Sequence, residues 1–190
     1  MKPSTKLLPV LSILCILTCT SSWAKVVYVK WDSPGPTTDG TSWDSAFHAV
    51  TEGLAASASG DQVWVARGVY AERITLVPDV ALYGGFAGNE SELSQRDWHS
   101  NNTTLDGSSA GSVVTTPAEQ WANVHIDGFT IQNGGGNPGG GIRCENSFPT
   151  IANCTITGNH GYYDGGGIYC LNVSLTISRC VLNGNEARHT

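Results

Sequence analysis

Gly139-Gly140-Gly141-Ile142-Arg143-Cys144 is repeated as Gly165-Gly166-Gly167-Ile168-Tyr169-Cys170, and the 26-residue displacement recurs farther along the chain. Thr150-Ile151-Ala152-Asn153-Cys154 returns as Thr176-Ile177-Ser178-Arg179-Cys180, and Gly158-Asn159 as Gly184-Asn185. A looser copy lies upstream, where Ile126, Phe129 and Ile131 precede Ile151, Cys154 and Ile156 by 25 positions. Inside each copy Ile142 and Cys144 flank Arg143, and Cys154 and Ile156 flank Thr155, the period of two that marks a strand. Gly and Asn, which accept tight bends, separate these short runs. Short strands, sharp bends and a period near 26 describe a coil that climbs one strand spacing, ~4.8 Å, per turn. The expected fold is all-β, a right-handed parallel β-helix. Its core ladders are Ile126–Ile151–Ile177, Phe129–Cys154–Cys180 and Ile131–Ile156–Leu182. A leucine-rich repeat lacks its Leu and Asn signature here, and no 3.6-residue period supports a helical repeat.

The repeats need a beginning. A solenoid end exposes strand edges and apolar core, which a capping element must cover. Ser45 to Ala58 reads as an amphipathic capping helix with Ala46, Phe47, Val50 and Leu54 on one face. Asp44 or Ser42 is the expected N-cap, and Gly60 suits the C-terminal stop. Gln62–Val65 and Val80–Tyr83 read as the first strands, with Leu105 and Val113-Val114 in the next coil. Ala87 to Asn102 has no strand pattern and reads as an excursion from the wall.

Ahead of this lies a segment that does not belong to the fold. Lys2 and Lys6 make a basic start, Leu7 to Leu17 is apolar, and Ser22-Trp23-Ala24 places small residues at −3 and −1. That pattern is a signal peptide over residues 1–24. The apolar run is short for a membrane span, and Thr18 before Cys19 is a poor lipoprotein signal. The expected product is exported, to the cell surface, periplasm or medium. It comprises residues 25–190: an N-terminal cap and first strand over 25–70, and stacked coils over 71–190. The array is expected to continue into further coils, because Asn185 is followed by only five residues. The whole chain carries ten Lys and Arg against sixteen Asp and Glu. Without Lys2 and Lys6 the net charge is about −8, which argues against a nucleic-acid partner and, locally excepted, against a basic cleft for polyanionic sugars.

Tyr28-Val29, Gly40-Thr41-Ser42-Trp43, Val63-Trp64-Val65-Ala66-Arg67-Gly68-Val69-Tyr70, Leu82-Tyr83-Gly84-Gly85-Phe86 and Arg96-Asp97-Trp98 resemble bacterial exported β-helix proteins of the pectate-lyase-like superfamily. The Gly-Gly-Gly-Ile repeats are also similar to the Gly-Gly-Ala-Ile repeats of polymorphic outer-membrane autotransporters, although the accompanying Phe-x-x-Asn is absent. The superfamily resemblance implies the fold. It leaves lyase, hydrolase, adhesin and structural roles open.

Two motif matches are discounted. Gly134 to Gly139 satisfies G-x-G-x-x-G, but that motif needs a following helix to hold a pyrophosphate, and a strand follows. Gly107-Ser108-Ser109-Ala110-Gly111 satisfies G-x-S-x-G, but a nucleophile elbow also leads into a helix. Cys144, Cys154, Cys170 and Cys180 remain after export. They read either as disulfides, favoured by an oxidising compartment, or as a ladder of buried thiols, favoured by parallel Cβ vectors. No CxxC or clustered His supports zinc.

Hydrolysis on this scaffold would need paired carboxylates, and the lyase alternative a base with bound Ca²⁺. Asp106 and Asp127, each in an Asp-Gly pair near a strand end, are the candidates; as turn residues they need no function. Arg143 stands without another Lys or Arg between Arg96 and Arg179, and Tyr169 replaces it one coil on. His48, His99, His125 and His160 read as surface residues. Tyr162, Tyr163 and Asp164 form a loop suited to stacking on sugar rings. Three roles follow: a non-catalytic exported solenoid for adhesion or glycan contact, a polysaccharide lyase or hydrolase, and a structural stalk or passenger segment. No cofactor is implied outside the lyase alternative.

Overall fold

The computed structural model describes residues 24–187 except positions 118 and 120. The signal peptide expected over 1–24 therefore lies, apart from Ala24, outside the described residues.

Every named strand pair is parallel, and each strand joins the equivalent strand of the next coil. The longest sheet has six strands, Val26–Val29, Gln62–Ala66, Ala81–Phe86, Ala122–Asp127, Ser147–Ala152 and Thr176–Ser178, in that spatial order. A second wall stacks Gly68–Tyr70, Thr103–Asp106, Phe129–Gln132, Thr155–Thr157 and Val181–Asn183. A third stacks Ile74–Thr75, Val114–Thr115, Ile142–Glu145 and Ile168–Leu171, and a short fourth stacks Gly135–Gly136, His160–Gly161 and Glu186–Ala187. This is a parallel β-helix, and the right-handed twist of strands favours its right-handed coil.

The ladders follow the register read from the repeat. Val27, Val63, Leu82, Ile126, Ile151 and Ile177 are successive partners on the long sheet. Leu105, Ile131, Ile156 and Leu182 are partners on the second wall, and Ile74, Val114, Ile142 and Ile168 on the third. Their side chains fill the interior, each fully buried one contributing about 1.5–3 kcal/mol. Ile177 is 44% exposed because its strand is the outermost of the sheet.

Corners use left-handed backbone. Gly128, Asn153 and Arg179 turn the chain from the first wall to the second, and Asn133, Gly158 and Gly184 turn it out of the second, all with positive φ. Asn159 and Asn185 then brace the stack from inside. The Asn159 amide donates to the Ile131 carbonyl (3.0 Å) and to Asn185 Oδ1 (2.9 Å), and its Oδ1 accepts the Gly134 N–H (2.8 Å).

The cap exists but differs from expectation. The helix spans only Val50–Ala55. The preceding residues serve the sheet instead: the Phe47 N–H donates to the Tyr28 carbonyl and Lys30 N–H to that of Phe47, making a bridge beside Val29. Neither Asp44 nor Ser42 caps it. The Glu72 carboxylate, from the next coil, accepts the N–H groups of Val50 and Thr51 at 2.9 Å each, while Glu52 accepts that of Ala49. Gly53 faces the first strand, where a Cβ would lie 2.5 Å from Val29 Cγ2, so only glycine lets the helix sit this close. Val50 and Leu54 are buried, closing the end of the core. Gly60 lies beyond the helix and turns the chain toward Gln62–Ala66 with φ 92°.

Two corrections concern the coils. The strand Val26–Val29 precedes the two expected to be first. Leu105 belongs to the same coil as Leu82, because the excursion interrupts that coil rather than following it. The excursion itself contains only a 3-10 turn, Leu93–Gln95. It folds onto the outer face of the long sheet with the segment after Lys30, and Trp43 Nε1 donates to the Glu90 carbonyl (2.8 Å) between them. Beneath them Trp64 stacks on Phe86 at 4.7 Å.

Candidate functional site

The expected carboxylates do not meet. Asp106 ends Thr103–Asp106 and pairs with Gln132, whereas Asp127 precedes the strand Phe129–Gln132. A strand of four residues separates them, roughly 13 Å of extended chain, beyond the ~5–9.5 Å of a hydrolase pair.

Each is also engaged. Desolvation would raise the Asp106 carboxyl, but hydrogen bonds from Gln132, Ser108 and Asn133 outweigh it and lower the pKa. Asp127, although it stands in a turn pair, is buried. It is 6% exposed, with Oδ1 2.8 Å from Arg96 Nη2 and accepting the Asn153 amide at 2.7 Å. Burial pushes its carboxyl up, but His125, Asn153 and Arg96 together hold it below the usual carboxylate range. The row continues as the Arg179 Nε–H donates to Asn153 Oδ1 (2.7 Å). Arg96 comes from the excursion, where no repeat announces it, and its guanidinium also lies over Tyr83 (4.9 Å) and Trp98 (5.0 Å).

His125 is not a plain surface residue either. Its ring sits 5.1 Å from that of Tyr83, and its buried Nε2 is 3.7 Å from Asp127 Oδ2, longer than a hydrogen bond. Strand alternation turns Asn123 and His125 outward beside Phe148 and Thr150 of the next strand. With Asp79, Val80, Ala81 and Val124 they line a shallow cavity of about 270 Å³.

At its head stands Trp121, 54% exposed and in left-handed backbone at φ 64°. The equivalent residues of the next two coils are Asn146 and Asn172, also at positive φ, joined by a hydrogen bond between their side chains. Asn suits this conformation, whereas a bulky aromatic there is an outlier. The indole stacks on the exposed Phe148 ring, with centroids 5.6 Å apart and planes 30° apart. This aromatic pair escaped the sequence reading. Its signal was the 25-residue offset, which places a tryptophan in a column of asparagines.

The expected glycan loop lies elsewhere. Tyr162, Tyr163 and Asp164 are exposed. Tyr162 lines a cleft of about 190 Å³ with Ser109, Gly135, His160 and Gly161. Strands rather than helices follow Gly134–Gly139 and Gly107–Gly111, as their discounting required. On the third wall Arg143 forms a bidentate pair with Glu145 (2.9 and 3.0 Å) and abuts Tyr169 of the next coil.

The four cysteines are free thiols in two stacked pairs. Cys144 and Cys170 are strand partners, and Cys154 lies one coil from Cys180. Contact with Cys170 and burial raise Cys144; the same contact lowers Cys170 to about 7. Among the described residues no three His, Cys, Asp or Glu side chains gather as for a metal, and no helix is long and apolar enough to cross a membrane.

A stacked parallel β-helix carrying one aromatic, polar outer wall is thus the class of molecule. Residues 34–189 match the model of the family described as protein of unknown function (DUF1565), and the chain belongs to that family. Neither a curated protein nor a solved structure matches it.

Proposed function

We propose that this is an exported or cell-surface β-helix that contacts glycans along the outer face of its long sheet and does not turn them over. The observation that carries the reading is the exposed Trp121–Phe148 pair, with Trp121 in a conformation its side chain disfavours. Such strain persists where the surroundings over-determine it and clusters at binding sites. Flat aromatic faces match the apolar faces of sugar rings, and Asn123, His125 and Thr150 beside them offer hydrogen-bond partners for hydroxyls. Tyr162, Tyr163 and Asp164 supply a second contact patch. The engaged state of Asp106 and Asp127 supports binding over hydrolysis or lyase chemistry, since general acid–base catalysis needs a group tuned toward the working pH.

Glycan-array binding by the mature chain, compared with Trp121→Ala and Phe148→Ala, tests this. Loss of a retained glycan in both variants, with the circular dichroism spectrum unchanged, is the expected result. Binding that both variants preserve, or no retained glycan at all, overturns it.

A further inference from the structure

At the corner between the first and second walls, on the cap side of the excursion, an open cavity of about 530 Å³ is lined by Lys30, Trp31, Asp32, Arg67 and Asn102, together with the small residues Ala66, Gly68 and Ala87. In a chain with sixteen acidic residues against ten basic ones, two cations here have no ion pair: Lys30 and Arg67 make none among the described residues. Asn102 Oδ1 accepts the Thr130 hydroxyl at 2.8 Å, and its amide N–H groups have no partner among the described residues. Trp31 is 57% exposed and sets the Cδ1–Nε1 edge of its indole against Gly68, where a Cβ would stand 2.6 Å from Cδ1. The Lys30 stem passes Gly88, where a Cβ would stand 3.2 Å from its Cδ.

We infer that this notch binds a sugar unit carrying one anionic group, carboxylate or sulfate. The ring stacks on Trp31, Lys30 and Arg67 take the anion, the Asn102 amide donates to ring substituents, and Asp32 accepts a hydrogen bond from a hydroxyl. An aromatic face beside cations selects this combination: a neutral sugar leaves the charges unused, and a bare anion leaves the indole unused. The volume falls within the range of small-molecule sites. The notch shares no residue with the Trp121–Phe148 wall, so either reading can fail alone.

The test follows the Trp31 indole N–H resonance of the mature chain, assigned with Trp31→Phe, during titration with glucuronate, glucose 6-sulfate, glucose and inorganic sulfate. Glucuronate or glucose 6-sulfate should shift it, and the stronger of the two identifies the anion. The response should weaken at least tenfold in Lys30→Gln/Arg67→Gln and persist in Trp121→Ala. The remaining resonances report that each variant is folded. No shift with either acidic sugar, an equal response to glucose or to inorganic sulfate, or undiminished binding by the double variant overturns the assignment.

Discussion

Arg96 reaches from the excursion to place Nη2 2.8 Å from Asp127 Oδ1, with both side chains more than nine-tenths removed from solvent. This pair ties the excursion to the fourth coil and converts the better catalytic candidate into a structural group. Removing one partner strands the other charge. Arg96→Met should therefore destabilise the protein by about 3–5 kcal/mol, and Arg96→Met/Asp127→Leu by less than the single change. Urea denaturation checks both, and a neutral single variant would refute the structural role.

The same pair sets an acid limit. The folded Asp127 carboxyl lies below its ordinary value, so its stabilisation is present above the unfolded pKa near 3.9 and disappears as pH falls through the lower folded value. Thermal unfolding of the wild type should lose stability below about pH 4 more steeply than that of Arg96→Met/Asp127→Leu. Parallel curves would assign the acid sensitivity to other carboxylates.

Turnover should be absent. Pectin, alginate and related uronate polymers, with and without Ca²⁺, should give neither reducing ends nor unsaturated products. Activity lost in Asp127→Asn or Asp106→Asn would establish an enzyme in place of a binding surface. Activity indifferent to both would place catalysis on residues other than these two.

The stack was legible because a period of 25–26 residues is a direct statement of which side chains become neighbours. Ile151 opposite Ile177, and Arg143 opposite Tyr169, follow from subtraction alone. Elements held by contacts between unlike segments were not legible in this way. The helix lost its first turn to a bridge between Phe47 and Val29 and gained its N-terminal acceptor from Glu72, neither of which repeats. Asp127 shows the same limit. Its neighbours in sequence spell a turn, while its burial depends on Arg96 arriving from a non-repetitive excursion. Trp121 was readable in principle, as the odd member of an asparagine column.

Trp121→Asn separates strain from contact. Non-glycine residues in left-handed backbone cost on the order of 1–3 kcal/mol, and asparagine tolerates it better. Loss of the Phe148 stacking removes about 0.5–1.5 kcal/mol. The two nearly cancel, so global stability should change by less than about 1 kcal/mol while glycan retention is lost. A loss above about 2 kcal/mol would make Trp121 a structural residue.

Thiol reactivity should divide the cysteines by burial. Cys144 and Cys154 are buried, and Cys170 and Cys180 are more accessible. Contact with Cys144 lowers Cys170, and contact with Cys154 lowers Cys180 to about 6. Brief alkylation of the folded, reduced chain of residues 25–190 near neutral pH should label Cys170 and Cys180 before Cys144 and Cys154, because thiolates are the reactive form. Mass spectrometry of peptides reads the order. Equal labelling of all four would disprove the stacked arrangement, and resistance of all four without reductant would identify the disulfide alternative.

Asn159 is fully buried and serves three neighbours at once. Its amide donates to the Ile131 carbonyl and to Asn185 Oδ1, and its oxygen accepts the Gly134 N–H. Asn159→Ala removes all three bonds and leaves the carbonyl and the N–H inside a buried corner. A buried polar group without a partner costs about 1–3 kcal/mol, so the loss should fall near 2–4 kcal/mol, limited by water entering the vacated volume. Asn159→Asp keeps the acceptor for Gly134 but sets one carboxylate oxygen against the Ile131 carbonyl, and should cost at least as much above pH 5. Urea denaturation of both variants decides between a bracing role and a bend role. If Asn159 served only as a bend residue, Ala would cost less than about 1 kcal/mol, since its neighbour Gly158 already supplies the positive φ at that corner.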